Sequence, residues 1–237
     1  MKTENVPTRG DRLNQWIQAN GLNPARRGAL WQAPLAVALA IAALIGGSVL
    51  QGMLKLPVVM GWGQQLAALL ASVLIAWALG ESRALLGLRW PARQAWLQAV
   101  GVGLSITAVG WVAERFLPPD PAPLTIEYFL YEATMPGLGE EFSMRGAWLC
   151  LLVVGLSRFE RLPRRAALAL GLSALPFAAL HVLEVSGLQL VVIFLYTFYA
   201  AVVLGWLRLS SASIWPAVLA HNVANVAGGV ISLLLRH

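Results

Sequence analysis

The segment GLGEEFSMRGAWLCLLVVGLS, residues 137–157, decides the fold class, because it is apolar over most of its length yet opens with charged residues. Roughly 20 mostly apolar residues are needed for a helix to cross a bilayer. Residues 138–157 are therefore predicted to span the membrane. An ionisable side chain costs about 2.5–3.5 kcal/mol at the centre of such a helix, so Glu140, Glu141 and Arg145 indicate a functional site.

Apolar segments of this kind continue on both sides of residues 137–157. Of 237 residues, 58% are hydrophobic and 12% are charged, whereas soluble domains carry about 25% charged residues. The apolar runs are long and do not alternate with polar residues, which argues against membrane strands. The sequence predicts an all-α, polytopic transmembrane helical bundle. Its seven spans are expected at about 32–53, 64–80, 95–113, 138–157, 166–184, 187–207 and 213–234.

Two segments fall outside these spans. Residues 1–27 are polar, and the spacing of Leu13, Trp16 and Ile17 predicts a short interfacial helix, with a solvated tail as the alternative. Residues 125–136 follow a run of prolines and predict a short amphipathic or re-entrant helix, which would be an eighth span if it crossed. The chain is thus interpreted as a polar segment, 1–27, and one transmembrane domain, 28–237, with its functional motifs in 138–234.

The distribution of basic residues predicts the orientation. With the N-terminus inside, 13 Lys and Arg fall in or beside the loops of one side and 3 on the other. Cytoplasmic loops of membrane proteins carry an excess of Lys and Arg. We therefore expect a multi-pass protein of the cell (inner or plasma) membrane with a cytoplasmic N-terminus and an outside C-terminus. The net charge of +6 is not gathered into a basic stripe, which argues against nucleic-acid binding.

The first group of ionisable residues within the predicted spans lies on the fourth helix. Glu141 and Arg145 are four residues apart and share a helix face, so they can form an ion pair. Glu140 points about 100° away from Glu141. It is then free to face a cavity and act as a general base.

Two further spans carry the histidines and asparagine that complete the candidate site. The fifth contains LPFAALHVLE, with Phe177 one turn before His181. The seventh contains LAHNVANVAGG, in which His221 and Asn225 share a face and can present two hydrogen-bond donors to an oxyanion. A base, an imidazole and an oxyanion site are the equipment for adding water to a carbonyl. Cys150 is a poor nucleophile, because apolar surroundings leave a thiol inert.

The order EExxxR, FxxxH, HxxxN on separate late helices resembles the CPBP (CAAX protease, or Abi) family, which includes type II CAAX prenyl endopeptidases and bacterial relatives. The resemblance covers residues 125–234. One departure is Met144 before Arg145, where members of the family often have Phe. The resemblance implies an intramembrane endopeptidase that hydrolyses a peptide bond of a membrane-associated protein or peptide.

The resemblance also implies a role for each motif residue. Glu140 would activate a water together with His181, and Glu141 and Arg145 would support that glutamate. An oxyanion site would be formed by His221 and Asn225. Phe177 would form an aromatic wall beside the imidazole.

Several alternatives stay open at this stage. No cofactor is favoured, but Glu140, His181 and His221 could hold Zn²⁺ in a metal-dependent version of the same peptidase. A non-catalytic scaffold or a bacteriocin-immunity-type protein would keep the same fold, and a transporter would use the same groups as a proton relay. The expected partners are membrane lipid and a membrane-anchored or lipidated substrate, with no nucleic acid. The substrate, its lipid group and the oligomeric state are undetermined.

Overall fold

The computed structural model describes residues 16–23, 26, 28–55, 58–80, 82–117, 124–159 and 164–235. Every regular element in these ranges is helical, which confirms the all-α prediction. The helices are α1 (Ala29–Met53), α2 (Trp62–Ala78), α3 (Ser82–Leu86), α4 (Arg93–Ala113), α5 (Ile126–Glu132), α6 (Met135–Glu141), α7 (Leu149–Ser157), α8 (Arg165–Leu180), α9 (Gly187–Ser211) and α10 (Trp215–Leu235). A 3₁₀ turn, Glu114–Phe116, extends α4, and a π-helical segment, Phe142–Trp148, joins α6 to α7.

The chain is a multi-pass membrane protein. Among the described helices, α1, α4 with its 3₁₀ turn, α9 and α10 are long and apolar enough to cross a bilayer. Many large apolar side chains face outward, among them Trp77 at 74% exposure and Leu195 at 60%, as expected of a surface that lipid covers. The other three predicted spans are shorter or interrupted helices, α2, α8 and the joined α6–α7. Seven spans therefore stay a prediction.

The joined helix α6–α7 forms the centre of the bundle. Every residue from Glu141 to Ser157 is buried, and the helix contacts α1, α2, α8 and α10. A helix that is apolar all round is expected to be covered by its neighbours on every side. Its one charged turn, Glu141 with Arg145, is consequently enclosed by protein.

Glycines allow the outer helices to approach each other closely. A Cβ on Gly103 of α4 would lie 2.7 Å from the carbonyl oxygen of Ala220 on α10. Between α1 and α2, a Cβ on Gly63 would lie 2.7 Å from the carbonyl oxygen of Gly47. Small residues at such crossings are typical of helices that pack within membranes.

The predicted fifth span, 166–184, was wrong at its C-terminal end. The helix α8 stops at Leu180, and residues 181–184 form a turn. The chain then reverses into α9 through Gly187, whose φ of 62° favours glycine. His181 thus lies just beyond the helix, and its side chain is exposed.

Part of the polar N-terminal segment packs against the bundle. Residues 16–19 form a helical turn, Ile17 is fully buried, and the Trp16 indole N–H donates to the carbonyl oxygen of Leu209 at 2.6 Å. Leu13 and the prolines between residues 118 and 123 lie outside the described residues. The interfacial position of residues 1–27 stays a prediction.

The loops rich in Arg meet at one end of the bundle. The Arg26 guanidinium donates to the carbonyl oxygen of Leu79. The Ser213 hydroxyl donates to the carbonyl oxygen of Arg89 at 2.6 Å. These contacts join the segments before α1, after α2, before α4 and before α10.

At the opposite end, Glu127 of α5 holds the loop that leads into α2. One of its oxygens, Oε1, accepts from the backbone N–H groups of Val59 and Met60 at 2.9 and 3.0 Å and from the Trp62 indole at 3.2 Å. The Met60 N–H, more than any other group, lowers the pKa of the Glu127 carboxyl. The short helix α5 is thereby fixed beside the start of α2.

Candidate active site

Two glycines bring α6 against its neighbours. A Cβ on Gly137 would collide with the side chain of Asn222 on α10, and one on Gly139 would collide with Gln65 on α2. The Gly137 N–H donates to the Asn222 side-chain oxygen at 3.0 Å. The last residues of α6, Glu140 and Glu141, are thus held between α2 and α10.

Glu141 is the hub of a buried cluster of charged and polar groups. Its Oε1 accepts from Arg145 at 3.0 Å and from His221 Nδ1 at 2.8 Å. Glu141 is fully buried, and Arg145 is 1% exposed. Since a carboxylate only accepts, this contact requires the proton of His221 on Nδ1. The fixed imidazole then directs Nε2 towards Glu140.

Glu140 occupies a different environment from its neighbour. Its Oε1 accepts from the Gln65 side-chain amide at 2.9 Å. Its Oε2 lies 3.9 Å from His221 Nε2, and this buried atom has no hydrogen-bond partner among the described residues. The Glu140 side chain is 21% exposed, so one of the two adjacent carboxylates is sealed and the other is open to a cavity.

Phe177 on α8 connects the two histidines. Its ring centroid lies 4.6 Å from that of His181 and 6.5 Å from that of His221. On the other side, the Arg145 guanidinium carbon lies 4.3 Å from the ring centroid, the geometry of a cation–π contact. His181 Nδ1 lies 2.8 Å from the Phe177 carbonyl oxygen. Because a carbonyl only accepts, Nδ1 carries the proton and Nε2 of the neutral ring keeps a lone pair.

Asn225 has a partner that sequence reasoning missed. Its Nδ2 donates to Oε2 of Glu132, at the end of α5, at 2.6 Å. Gln65, the partner of Glu140, was missed as well. The available signals were the amide pair Gln64–Gln65 inside an apolar span and the carboxyl of Glu132 beside a predicted re-entrant helix.

These side chains line one cavity of about 300 Å³. Five of the predicted site residues line this cavity, namely Glu140, Phe177, His181, His221 and Asn225. Glu141 and Arg145 lie behind this wall. The remaining lining residues are Gln64, Gln65, Ile106, Tyr131, Glu132, Pro136, Tyr196, Thr197, Ala200, Leu204 and Ala224.

A second cavity of about 230 Å³ adjoins the first and also has Glu140 and His181 in its wall. Its wall includes Leu44 of α1 and Leu180 of α8, and it shares Gln65 with the first cavity. Glu140 therefore lines both a more polar chamber and a more apolar one.

The donor groups do not form a preassembled metal centre. No three His, Cys, Asp or Glu side chains within the described ranges are grouped as a metal ion requires. In particular, Glu140, His181 and His221 are not arranged as a set of three ligands. One nitrogen of each imidazole already faces an acceptor, on Phe177 for His181 and on Glu141 for His221.

Residues 122–227 match the family model described as Type II CAAX prenyl endopeptidase Rce1-like. This match supports the assignment of the segment to the CPBP/CAAX protease family and confirms the resemblance stated from its motifs. The family is one of membrane endopeptidases, and the matched segment contains the cavity residues of α5, α6, α8, α9 and α10. No curated protein and no solved structure matches the chain.

Proposed function

We propose that the chain hydrolyses a peptide bond of a membrane-associated protein or peptide with a water molecule activated by Glu140. The proposal is carried by the position of His221, which touches the sealed Glu141 through Nδ1 and faces the open Glu140 through Nε2. Two adjacent carboxylates in such different surroundings can perform different tasks. The Glu140 side chain lines the cavity and is 21% exposed, and its buried Oε2, which has no hydrogen-bond partner among the described residues, would accept the proton of the water.

In this mechanism Glu140 removes a proton from water as the oxygen attacks the carbonyl carbon. The lone pair of His181 Nε2 orients the same water. The electron pair of the carbonyl bond moves to oxygen, and this oxyanion is stabilised by hydrogen bonds from His221 and Asn225. Collapse of the intermediate breaks the C–N bond, and Glu140 returns its proton to the leaving amine.

Glu141 and Arg145 act through His221 in this proposal. Glu141 keeps a proton on Nδ1 of His221. If Nε2 also carries a proton and donates it to the oxyanion as a hydrogen bond, the His221 ring is an imidazolium. Both ring nitrogens lie beside carboxylate oxygens, Nδ1 at 2.8 Å from Glu141 and Nε2 at 3.9 Å from Glu140. Arg145 donates to the same oxygen of Glu141 and holds that carboxyl group in place.

Glu140→Gln tests the assignment. The variant protein is reconstituted in liposomes with membrane-anchored peptides, and products are read by mass spectrometry, with Glu184→Gln in the exposed turn after α8 as the control. We expect a loss of about 10²–10⁴-fold in Glu140→Gln and none in Glu184→Gln. Undiminished cleavage by Glu140→Gln would remove Glu140 from this role.

The same preparation tests the metal-free form of the mechanism. We expect purified, active protein to contain no stoichiometric zinc and to resist chelators. Cleavage that chelators abolish and zinc restores would instead support the metal-dependent peptidase.

We also propose that the protein lies in the cell membrane with its N-terminus in the cytoplasm. The contacts of the segments around Arg26 and Arg89 at one end of the bundle support this orientation. Cysteine labelling of the loop that contains Arg161 in intact cells tests it, because a cytoplasmic loop is protected from an impermeant reagent.

A further inference from the structure

The cavity carries more negative than positive charge. Glu132 and Glu140 both line it, and none of its described lining residues is a Lys or an Arg. Arg145 lies beneath Phe177 and is bound to Glu141. Two carboxylates therefore face the cavity with only imidazoles to offset them.

Glu132 keeps one oxygen for another partner. Its Oε2 accepts from Asn225 at 2.6 Å, and no described residue donates to its Oε1. Burial, more than any other factor, raises the pKa of the Glu132 carboxyl, and the Asn225 amide opposes that rise. An ionised carboxylate in such a place is stabilised when a cation enters beside it.

Aromatic side chains complete the surroundings of these carboxylates. Tyr131, Tyr196 and Phe177 line the same cavity, and Tyr131 is 5% exposed. Aromatic faces attract Lys and Arg side chains, most strongly where water is excluded. A carboxylate attracts an organic cation by its charge, and neighbouring aromatic rings attract it by cation–π contacts.

We propose that the cavity binds a Lys or Arg side chain of the substrate close to the scissile bond, with Glu132 as the residue that determines this specificity. This inference rests on the peptidase activity proposed above. It also means that a free carboxylate close to the scissile bond is disfavoured, because it would enter beside two like charges.

Binding tests the inference without turnover. The Glu140→Gln protein is placed in nanodiscs of neutral lipid, and three labelled peptides with Lys, Gln or Glu beside the scissile position are titrated by fluorescence anisotropy. We expect the Lys peptide to bind about tenfold more tightly than the Gln peptide, and the Glu peptide to bind more weakly than both. The double variant Glu140→Gln/Glu132→Gln should bind all three alike.

Matched variants separate charge from folding. Glu132→Gln retains an oxygen that can accept from Asn225, and Glu132→Asp restores the charge, so the preference for Lys should vanish in the first and return in the second. Glu184→Gln removes an equal charge outside the cavity and should leave the preference unchanged. Cleavage of the same peptides by protein with Glu140 intact should follow the same order.

Equal affinities for the three peptides, or a Lys preference that survives Glu132→Gln, would overturn the cation site. A Lys preference in binding without cleavage of any peptide would leave the cation site standing and refute the proposed peptidase activity. The two hypotheses therefore fail by different measurements.

Discussion

His221 Nδ1 lies 2.8 Å from Glu141 Oε1, and the same oxygen accepts from Arg145. A residue of the last helix is thereby tied to a charged turn 80 positions earlier in the chain. The imidazole is oriented by a group that is sealed from the cavity. In the proposed mechanism Glu141 is accordingly a positioning residue, and its loss should affect chemistry through His221.

Glu141→Gln should lower kcat by about 10²–10⁴-fold, because the neutral amide no longer enforces the Nδ1 proton of His221. It should also destabilise the protein by about 3–5 kcal/mol, since Arg145 is left as an unpaired buried charge. Turnover per folded molecule, measured well below the melting temperature, separates the two effects. If that turnover equals the wild-type value, Glu141 has a structural role only.

Gln65→Met should lower kcat about tenfold while the fold is retained. The variant keeps the volume of the side chain and removes the amide that donates to Glu140. The matched control is Gln64→Met, which changes the neighbouring amide of the same cavity wall. Steady-state kinetics of both variants check the prediction. A larger effect from Gln64→Met would mean that Gln65 does not position Glu140.

Gly137→Ala should impair both stability and activity. The added methyl would collide with Asn222 and force α6 away from α10, and overpacking of this kind costs about 1–3 kcal/mol. Gly171→Ala is the control, because nothing lies within 4 Å of a Cβ at that position. Thermal unfolding in detergent compares the variants, and equal melting temperatures would contradict the close approach.

The loop held by Glu127 should loosen in acid. The pKa of this carboxyl is lowered in the folded protein, chiefly by the Met60 N–H. The stability that the ionised carboxyl gives to the loop is therefore present above the unfolded-state pKa and is lost as the pH falls through the folded-state pKa. The protection factors of the Val59 and Met60 amides, which compare measured exchange with the intrinsic rate at each pH, should therefore fall at low pH. In Glu127→Gln the exchange should be fast already at neutral pH, and a pH response that persists in this variant would assign the titration to another group.

Sequence patterns were sufficient for the class of fold and for the polar residues of the late helices. Long apolar segments predict helices because only a helix satisfies its own backbone in lipid. Glu140, Glu141 and Arg145 stood out because charges in such segments are costly. Residues four apart on one helix could also be paired correctly, as for Glu141 and Arg145, because the helical repeat alone brings them together.

Contacts between different helices were decided only by the tertiary structure. The position of His221 in its own helix does not reveal that it contacts Glu141. In the same way, the position of Asn225 does not reveal that its partner is Glu132. Gln65 and Glu132 carry no motif that links them to the site, so their roles depend on how closely Gly137 and Gly139 let α6 approach α10 and α2. The sequence determines which groups are too polar for lipid, whereas the packing of the helices determines which of them share a cavity.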